Sequence, residues 1–342
     1  MSEIIECIKA RSFITSLKTT STDELAFCTK LHGAKIFSTK NCNVKYHFTS
    51  QHLNQDTTAF TFNLQGNLIA FANIKAIYIA DIEKKEILKI ISTDDQHIQI
   101  LTFDETSNYL IAGNENGRVT QYNWANSSAI SRLCSFPHEC SDRKYIRKNY
   151  VSALCVKNNR LACSGLGGAI IVLDMYSRAN KIVLQNTNSR INALHFIDDD
   201  TILSANFEGL ISIFSIKQRK LLSEIDTPLT QIRQVLPMPE SNYIMLCSNT
   251  NYVSIVDIKN SKMLQHKYMS FDDKVIRLSS IDYKHVAVAL RSGFIKKIEL
   301  SCEEDLKSLV LHNSLDKAYE LVEKEPMLKS TKTYMDLNKL YN

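Results

Sequence analysis

Residues 205–215, ANFEGLISIFS, begin with small side chains, turn on Gly209 and leave through alternating aliphatics. Apolar residues at every second position after a glycine describe a tight turn feeding a strand. The same pattern recurs about Gly33, Lys75, Gly117, Gly168, Asn251 and Gly293, with successive anchors 42, 42, 51, 41, 42 and 42 residues apart. At each anchor the turn is expected to use the positive φ that Gly or Asn adopts at little cost.

Three columns hold this register. Seven residues before the anchors stand Ala26, Leu68, Leu110, Leu161, Ile202, Ile244 and Val286, and two after them Lys35, Ile77, Val119, Ile170, Ile211, Val253 and Ile295. Four before come Thr29, Phe71, Gly113, Ser164, Ala205, Cys247 and Ala289, mostly small, as the crowded inner part of a radial structure requires. A repeat of roughly 40 to 45 residues with about four short strands marks a propeller blade, which buries its faces only by packing on neighbours. The units predict an all-β, seven-bladed propeller over residues 1–300 and a short helical tail over 301–342.

Three of the third strands end in aspartate six residues past the anchor: IYIAD at Asp81, IIVLD at Asp174 and VSIVD at Asp257. In this the repeat resembles the WD-repeat family, whose blades close that strand on Trp-Asp. The tryptophan is missing from all three, as is the family's Gly-His dipeptide. The resemblance therefore implies the fold and says little about activity.

A ring of blades has to close, because an unpaired sheet edge invites aggregation. Ile4 precedes Ile14 by ten residues, the spacing that separates Leu88 from Ile98 between an outer strand and the next inner one. EIIECIK is therefore expected to supply the outer strand of the last blade, with LKSLVLH (306–312) as the alternative.

Composition narrows the function classes. Forty-one Lys and Arg against 36 Asp and Glu leave a net +5 over 342 residues, too weak a field for a dedicated nucleic-acid binder. No run reaches the roughly 18 apolar residues of a membrane span, and the first residues show no apolar signal core, so a soluble, cytoplasmic protein is expected. Nine cysteines in that setting read as reduced thiols.

The residue after the first inward aliphatic position of each innermost strand, held by Thr57 in the second unit, is polar throughout: Thr15, Thr58, Gln99, Ser152, Asn192, Arg233 and Arg277. These form the expected channel mouth, where two arginine forks could hold a carboxylate or phosphate; a hydrated channel lining is the plainer reading. The one long step, 51 − 42 = 9 residues, places an insertion between an outer strand at 129–136 and Val151. Its sequence, PHECSDRKYIRKNY, carries His138, Arg143, Lys144, Tyr145, Arg147 and Lys148, a candidate partner-binding loop on the face where outer-to-inner connections gather. A solvated loop is the plain alternative.

No catalytic or metal site is expected. Cys134, His138 and Cys140 lack a fourth ligand, SGLGGAI at 164–170 is a hairpin turn without a phosphate-binding helix, and His195 reads as structural. No cofactor is expected either. In the tail, Asn313 is a candidate helix cap, Leu315, Ala318, Leu321 and Val322 follow at helical spacing, and Pro326 ends the pattern. A second helical pattern carries Tyr334, Leu337 and Leu340 or Tyr341. AYELVEKEPML looks like the start of a helical solenoid unit, which would make residue 342 a point within a longer protein.

Three functional readings follow: a non-catalytic scaffold that captures one or more proteins; a module for nucleic acid, the less favoured partner, or for a phosphorylated ligand, acting through the basic insertion and the channel arginines; and, from fold-level similarity alone, an accessory factor in assembling a redox enzyme such as a bacterial nitrate reductase.

Overall fold

The computed structural model describes residues 4–10, 13–21, 24–29, 33–38, 43–47, 57–74, 76–93, 97–125, 129–142, 145–177, 181–184, 189–238 and 241–341. The chain is a seven-bladed β-propeller followed by three α-helices. Each blade is a four-stranded antiparallel sheet whose strands run in chain order from the channel outward. The innermost strands are Ile14–Ser21, Ala59–Phe62, Ile98–Phe103, Val151–Lys157, Ile191–Phe196, Gln234–Pro237 and Val275–Ser280. Blade 7 has three strands of its own, and Ile4–Lys9 pairs antiparallel with Phe294–Glu299 as its outermost strand. The alternative segment, 306–312, falls within and just after a helix.

ANFEGLISIFS is the second-to-third strand turn and third strand of blade 5, with Ala205 paired to Ile211. The Asn206 carboxamide oxygen accepts from the Glu208 and Leu210 amides, both at 2.9 Å, and ties the turn. Asn114 does the same in blade 3 for Asn116 and Arg118, at 3.0 and 2.9 Å. Gly209 has φ +100°, and a Cβ there would lie 1.9 Å from the Leu229 carbonyl oxygen, so both conformation and space demand glycine. Asn251 departs from the expected positive φ. Its side chain instead donates to the Phe271 carbonyl at 3.0 Å, which holds the turn from outside. Lys75 lies outside the described residues.

The three strand-end aspartates cap the next turn. Asp81 accepts from the Glu83 and Lys84 amides at 2.9 Å, Asp174 from Tyr176 and Ser177 at 3.0 and 2.7 Å, and Asp257 from Asn260 at 2.9 Å. The Ser177 amide bond, with the other donors of the turn, holds the Asp174 carboxyl below its ordinary value. The positions before these aspartates are the apolar and buried Ala80, Leu173 and Val256. They sit in the apolar clusters between blades.

Between every two neighbouring blades lies one apolar cluster, including that between blades 7 and 1, where Ile14, Phe27 and Phe37 meet Ile276, Ala287 and Ile295. The aliphatic columns of the sequence fill these clusters; Ile77, Val119, Ile170, Ile211 and Val253 are each 0% exposed. Burying such side chains stabilises each by about 1.5–3 kcal/mol, and because each blade supplies one side of two clusters, the ring stands as a unit.

The tail has more helix than its sequence suggests: α1 (Glu303–Leu311), α2 (Leu315–Lys324), a 3-10 turn (Pro326–Ser330) and α3 (Lys332–Tyr341). Ser314 rather than Asn313 occupies the cap position of α2, because Asn313 is spent on the αL link from α1, at φ +53°. Pro326 opens the 3-10 turn, a first-turn position that proline's fixed φ suits. Leu306, Ala318, Val322, Leu328 and Leu337 form the helices' own core. Met327 packs with Tyr243 and Ile255 of blade 6, and the Tyr243 hydroxyl donates to Ser330 Oγ at 2.8 Å.

Candidate functional site

All seven expected channel residues line one central cavity of about 740 Å³. A β-bulge places most of them. The inner-strand register shifts between Ile14 and Ser16, Ile98 and Ile100, Val151 and Ala153, and Ile191 and Ala193, so Thr15, Gln99, Ser152 and Asn192 are the inserted residues. A bulge turns its extra residue out of the ladder and aims its side chain. In blade 7 the shift falls between Val275 and Arg277, so Arg277 reaches the cavity from one residue further along its strand.

Several of these side chains latch one blade to the next. Ser152 Oγ donates to the Ile191 carbonyl at 2.6 Å, and Asn192 Nδ2 to the Ile232 carbonyl at 2.7 Å. Arg277 Nε closes the ring onto the Thr15 carbonyl at 2.9 Å. Arg233 breaks the series. The carbonyls at the next step, those of Val275 and Ile276, already accept from Cys247 Sγ at 3.5 Å and Arg277 Nη1 at 2.7 Å. Arg233 keeps one long contact, Nη2 to Asn249 Oδ1 at 3.4 Å, and its buried Nε has no hydrogen-bond partner.

A third arginine, missed as a site residue in the sequence, joins them. Arg190 stands one residue before the inner strand of blade 5, with its guanidinium 5.6 Å from the Tyr150 ring centroid and 5.8 Å from that of Phe207. It lies outside the polar column, so only its place before an inner strand could have flagged it. Among the described lining residues there is no carboxylate. Burial pulls Arg277 below its ordinary value, with the like charge of Arg233 adding to the effect. Burial also pushes the Cys247 thiol up to about 12, so the sulfur beside these cations stays neutral.

The insertion is a β-hairpin and not the irregular loop its composition suggests: Glu139–Asp142 pairs with Tyr145–Lys148, with Glu139 opposite Lys148 and Cys140 opposite Arg147. Its foot is rooted by Asn149, whose amide donates to the His138 carbonyl at 2.9 Å and whose Oδ1 accepts from the Gly167 amide at 3.1 Å. A Cβ on Gly165 would lie 2.4 Å from that Oδ1. The glycines of SGLGGAI thus make room for the hairpin's foot. The next residue, Tyr150, lines the cavity, which joins the hairpin to the channel mouth.

His138, Arg147 and Lys148 are exposed, and Lys148 approaches Glu115 at 3.8 Å, so part of the expected basic surface is ion-paired. Tyr145 lies in the hairpin's second strand, and Arg143 and Lys144 lie outside the described residues. Cys134 is turned away from His138: its sulfur lies 3.4 Å from that of Cys163 in the core between blades 3 and 4. Among the described residues no three His, Cys, Asp or Glu are grouped to hold a metal ion, and no helix is long and apolar enough to cross a membrane. His195 is half-buried on the inner strand of blade 5, where burial, with Lys157 nearby, lowers it to about 4.

The class this architecture defines is a seven-bladed β-propeller with an open, cationic channel mouth and a hairpin beside it. No protein-family model and no curated protein matches the chain.

Proposed function

We propose that the protein is a non-catalytic interaction platform, a divergent relative of the WD-repeat propellers, that captures a protein partner on the face bearing the second-to-third strand turns, the outer-to-inner connections and the hairpin. The observation that carries this reading is the docking of Asn149 among the blade 4 glycines, which fixes an exposed hairpin beside the channel mouth. A rigid scaffold presenting one extra element is the usual arrangement for recognition. His138, Arg147 and Lys148 are the contacts proposed from the described residues, with Tyr145 of the hairpin's second strand and, outside the described residues, Arg143 and Lys144 as further candidates. A cytoplasmic setting belongs to the same reading, supported by cysteine-rich blades without a disulfide among the described residues.

The test replaces residues 139–148 with a short turn of the length found between the other blades. Proteins captured by the intact and shortened chains are then compared by mass spectrometry. The expected outcome is loss of at least one partner with the thermal transition unchanged; an identical captured set defeats the proposal.

A further inference from the structure

We propose that Arg233 and Arg277, with Arg190 at the mouth, form a binding site for a phosphate dianion inside the channel. The proposal stands on the channel geometry and does not rest on the docking of a partner protein.

Three observations converge. First, the arginines come from consecutive blades, 5, 6 and 7, and line the same cavity, whose described lining holds no carboxylate to balance them. Cations brought together out of bulk water are costly unless an anion joins them. Second, Arg233 is built into the wall without the bond its neighbours make. The carbonyls at the next step accept from Cys247 and Arg277 and not from Arg233, whose buried Nε–H has no acceptor. A buried donor left unmet is destabilising, and it marks Arg233 as the arginine whose guanidinium is not spent on a neighbouring blade. Third, the polar neighbours of the arginines in the lining, Asn192 and Gln234, are neutral and already tied to the protein, Asn192 to Arg190 and the Ile232 carbonyl and Gln234 to Leu278, so the arginines are the charged groups a ligand in the cavity meets.

A phosphate ester carries close to two negative charges near neutral pH and offers oxygens to two guanidinium forks at once. That charge matches Arg233 plus Arg277 better than a single carboxylate does. Arg277 enters the site already oriented, because Nε and Nη1 are fixed on the Thr15 and Ile276 carbonyls. Arg190, near the Tyr150 and Phe207 rings and with its Nε donating to Asn192 Oδ1, adds a third cation to the same lining. The phosphate has two chemical sources, a free phosphate ester or a phosphorylated side chain of a partner.

The experiment is calorimetric titration of the full chain in chloride buffer at constant ionic strength. Three probes are used: inorganic phosphate, glycerol 2-phosphate and a phosphoserine pentapeptide. Saturable one-site binding of at least one probe is expected. Arg233→Gln should weaken it at least tenfold, while Arg132→Gln, on the outer strand of blade 3, should leave it unchanged. Arg233→Lys, which keeps the charge and loses the fork, should fall between wild type and Arg233→Gln, and serves as the second variant if the glutamine variant fails to fold. A pentapeptide that binds tenfold tighter than glycerol 2-phosphate assigns the phosphate to a partner chain; equal or weaker binding assigns it to a free ester. Absence of saturable binding to the wild type, or Arg233 variants that bind as tightly as wild type, overturns the site.

Discussion

The flanks of the blades and the wall of the channel are made by the same seven sheets, yet they follow different rules. On the flanks blades 2 to 7 are interchangeable: aliphatics at fixed offsets from each turn fill clusters of one kind between neighbours. On the wall the blades are individuals. Ser152 and Asn192 reach the next blade, Arg277 closes the ring, and Arg233 is left with an unmet donor. Repetition supplies the stability, and departures from repetition supply the chemistry.

The sharpest way to break this contrast is to cut a flank. Ile211 and Val253 are 0% exposed and Ile295 is 1% exposed, at equivalent positions in blades 5, 6 and 7. Ile211→Ala and Ile295→Ala should each cost about 3 kcal/mol, and Val253→Ala slightly less because it removes one methylene fewer. Denaturant unfolding should show a lower midpoint at unchanged slope. A loss below about 1 kcal/mol at any one of them would mean that the flanks are not equivalent.

Acid should act next. His195 is held neutral, with its pKa lowered to about 4 from an ordinary 6.5. A histidine whose folded pKa is depressed leaves the unfolded chain binding the extra proton, so its contribution is present above pH 6.5 and lost as pH falls toward 4. The loss should be on the order of 2 kcal/mol, reduced from the full shift because the ring is only half-buried. Comparing wild type with His195→Gln at pH 7.5 and 4.5 isolates it from the carboxylates that titrate in the same range; an equal acid sensitivity in both removes the effect.

The polar ring offers a finer test. Asn192→Ala strands the Ile232 carbonyl and should cost about 1–2 kcal/mol. Arg233→Gln removes one weak contact and one repulsive charge, so in phosphate-free buffer its effect should be within about 0.5 kcal/mol or favourable. Equal losses at the two positions would mean that Arg233 is latched like its neighbours.

How much of this was legible in the sequence follows from the same contrast. The aliphatic columns at 202, 211, 244 and 253 state the flanks openly, because burial of a repeated surface leaves a repeated composition. The polar column at 15, 58, 99, 152, 192, 233 and 277 was also legible, since those residues stand near the start of each inner strand and line the one cavity. What was hidden is geometry. The bulge in blade 7 sits beside Arg277 and not at it, and Arg190 enters the lining from a connection. The insertion was located from spacing, but not its hairpin form, because its short, charged strands carry no period-two apolar pattern. In the tail, α1 begins at a Cys302 whose amide is met by the Asp305 carboxylate at 2.8 Å, a cap that the residue type does not advertise.

The smallest effect belongs to the tail's charged clip, and it separates two ways of holding the helices. Lys284 of blade 7 meets Asp305 of α1 at 2.8 Å, with side-chain exposures of 19% and 39%. The bond raises the lysine's pKa, yet a pair this open to solvent contributes less than about 1 kcal/mol. Asp305 also keeps its cap bond to the Cys302 amide when the lysine is removed. Lys284→Gln should therefore barely change amide hydrogen exchange in α1 to α3, with any small change vanishing in high salt. Met327→Ala, which empties the contact with Tyr243 and Ile255, should expose the same amides measurably sooner. The reverse order would mean that the tail is tethered by charge at blade 7, and that the apolar seat on blade 6 is incidental.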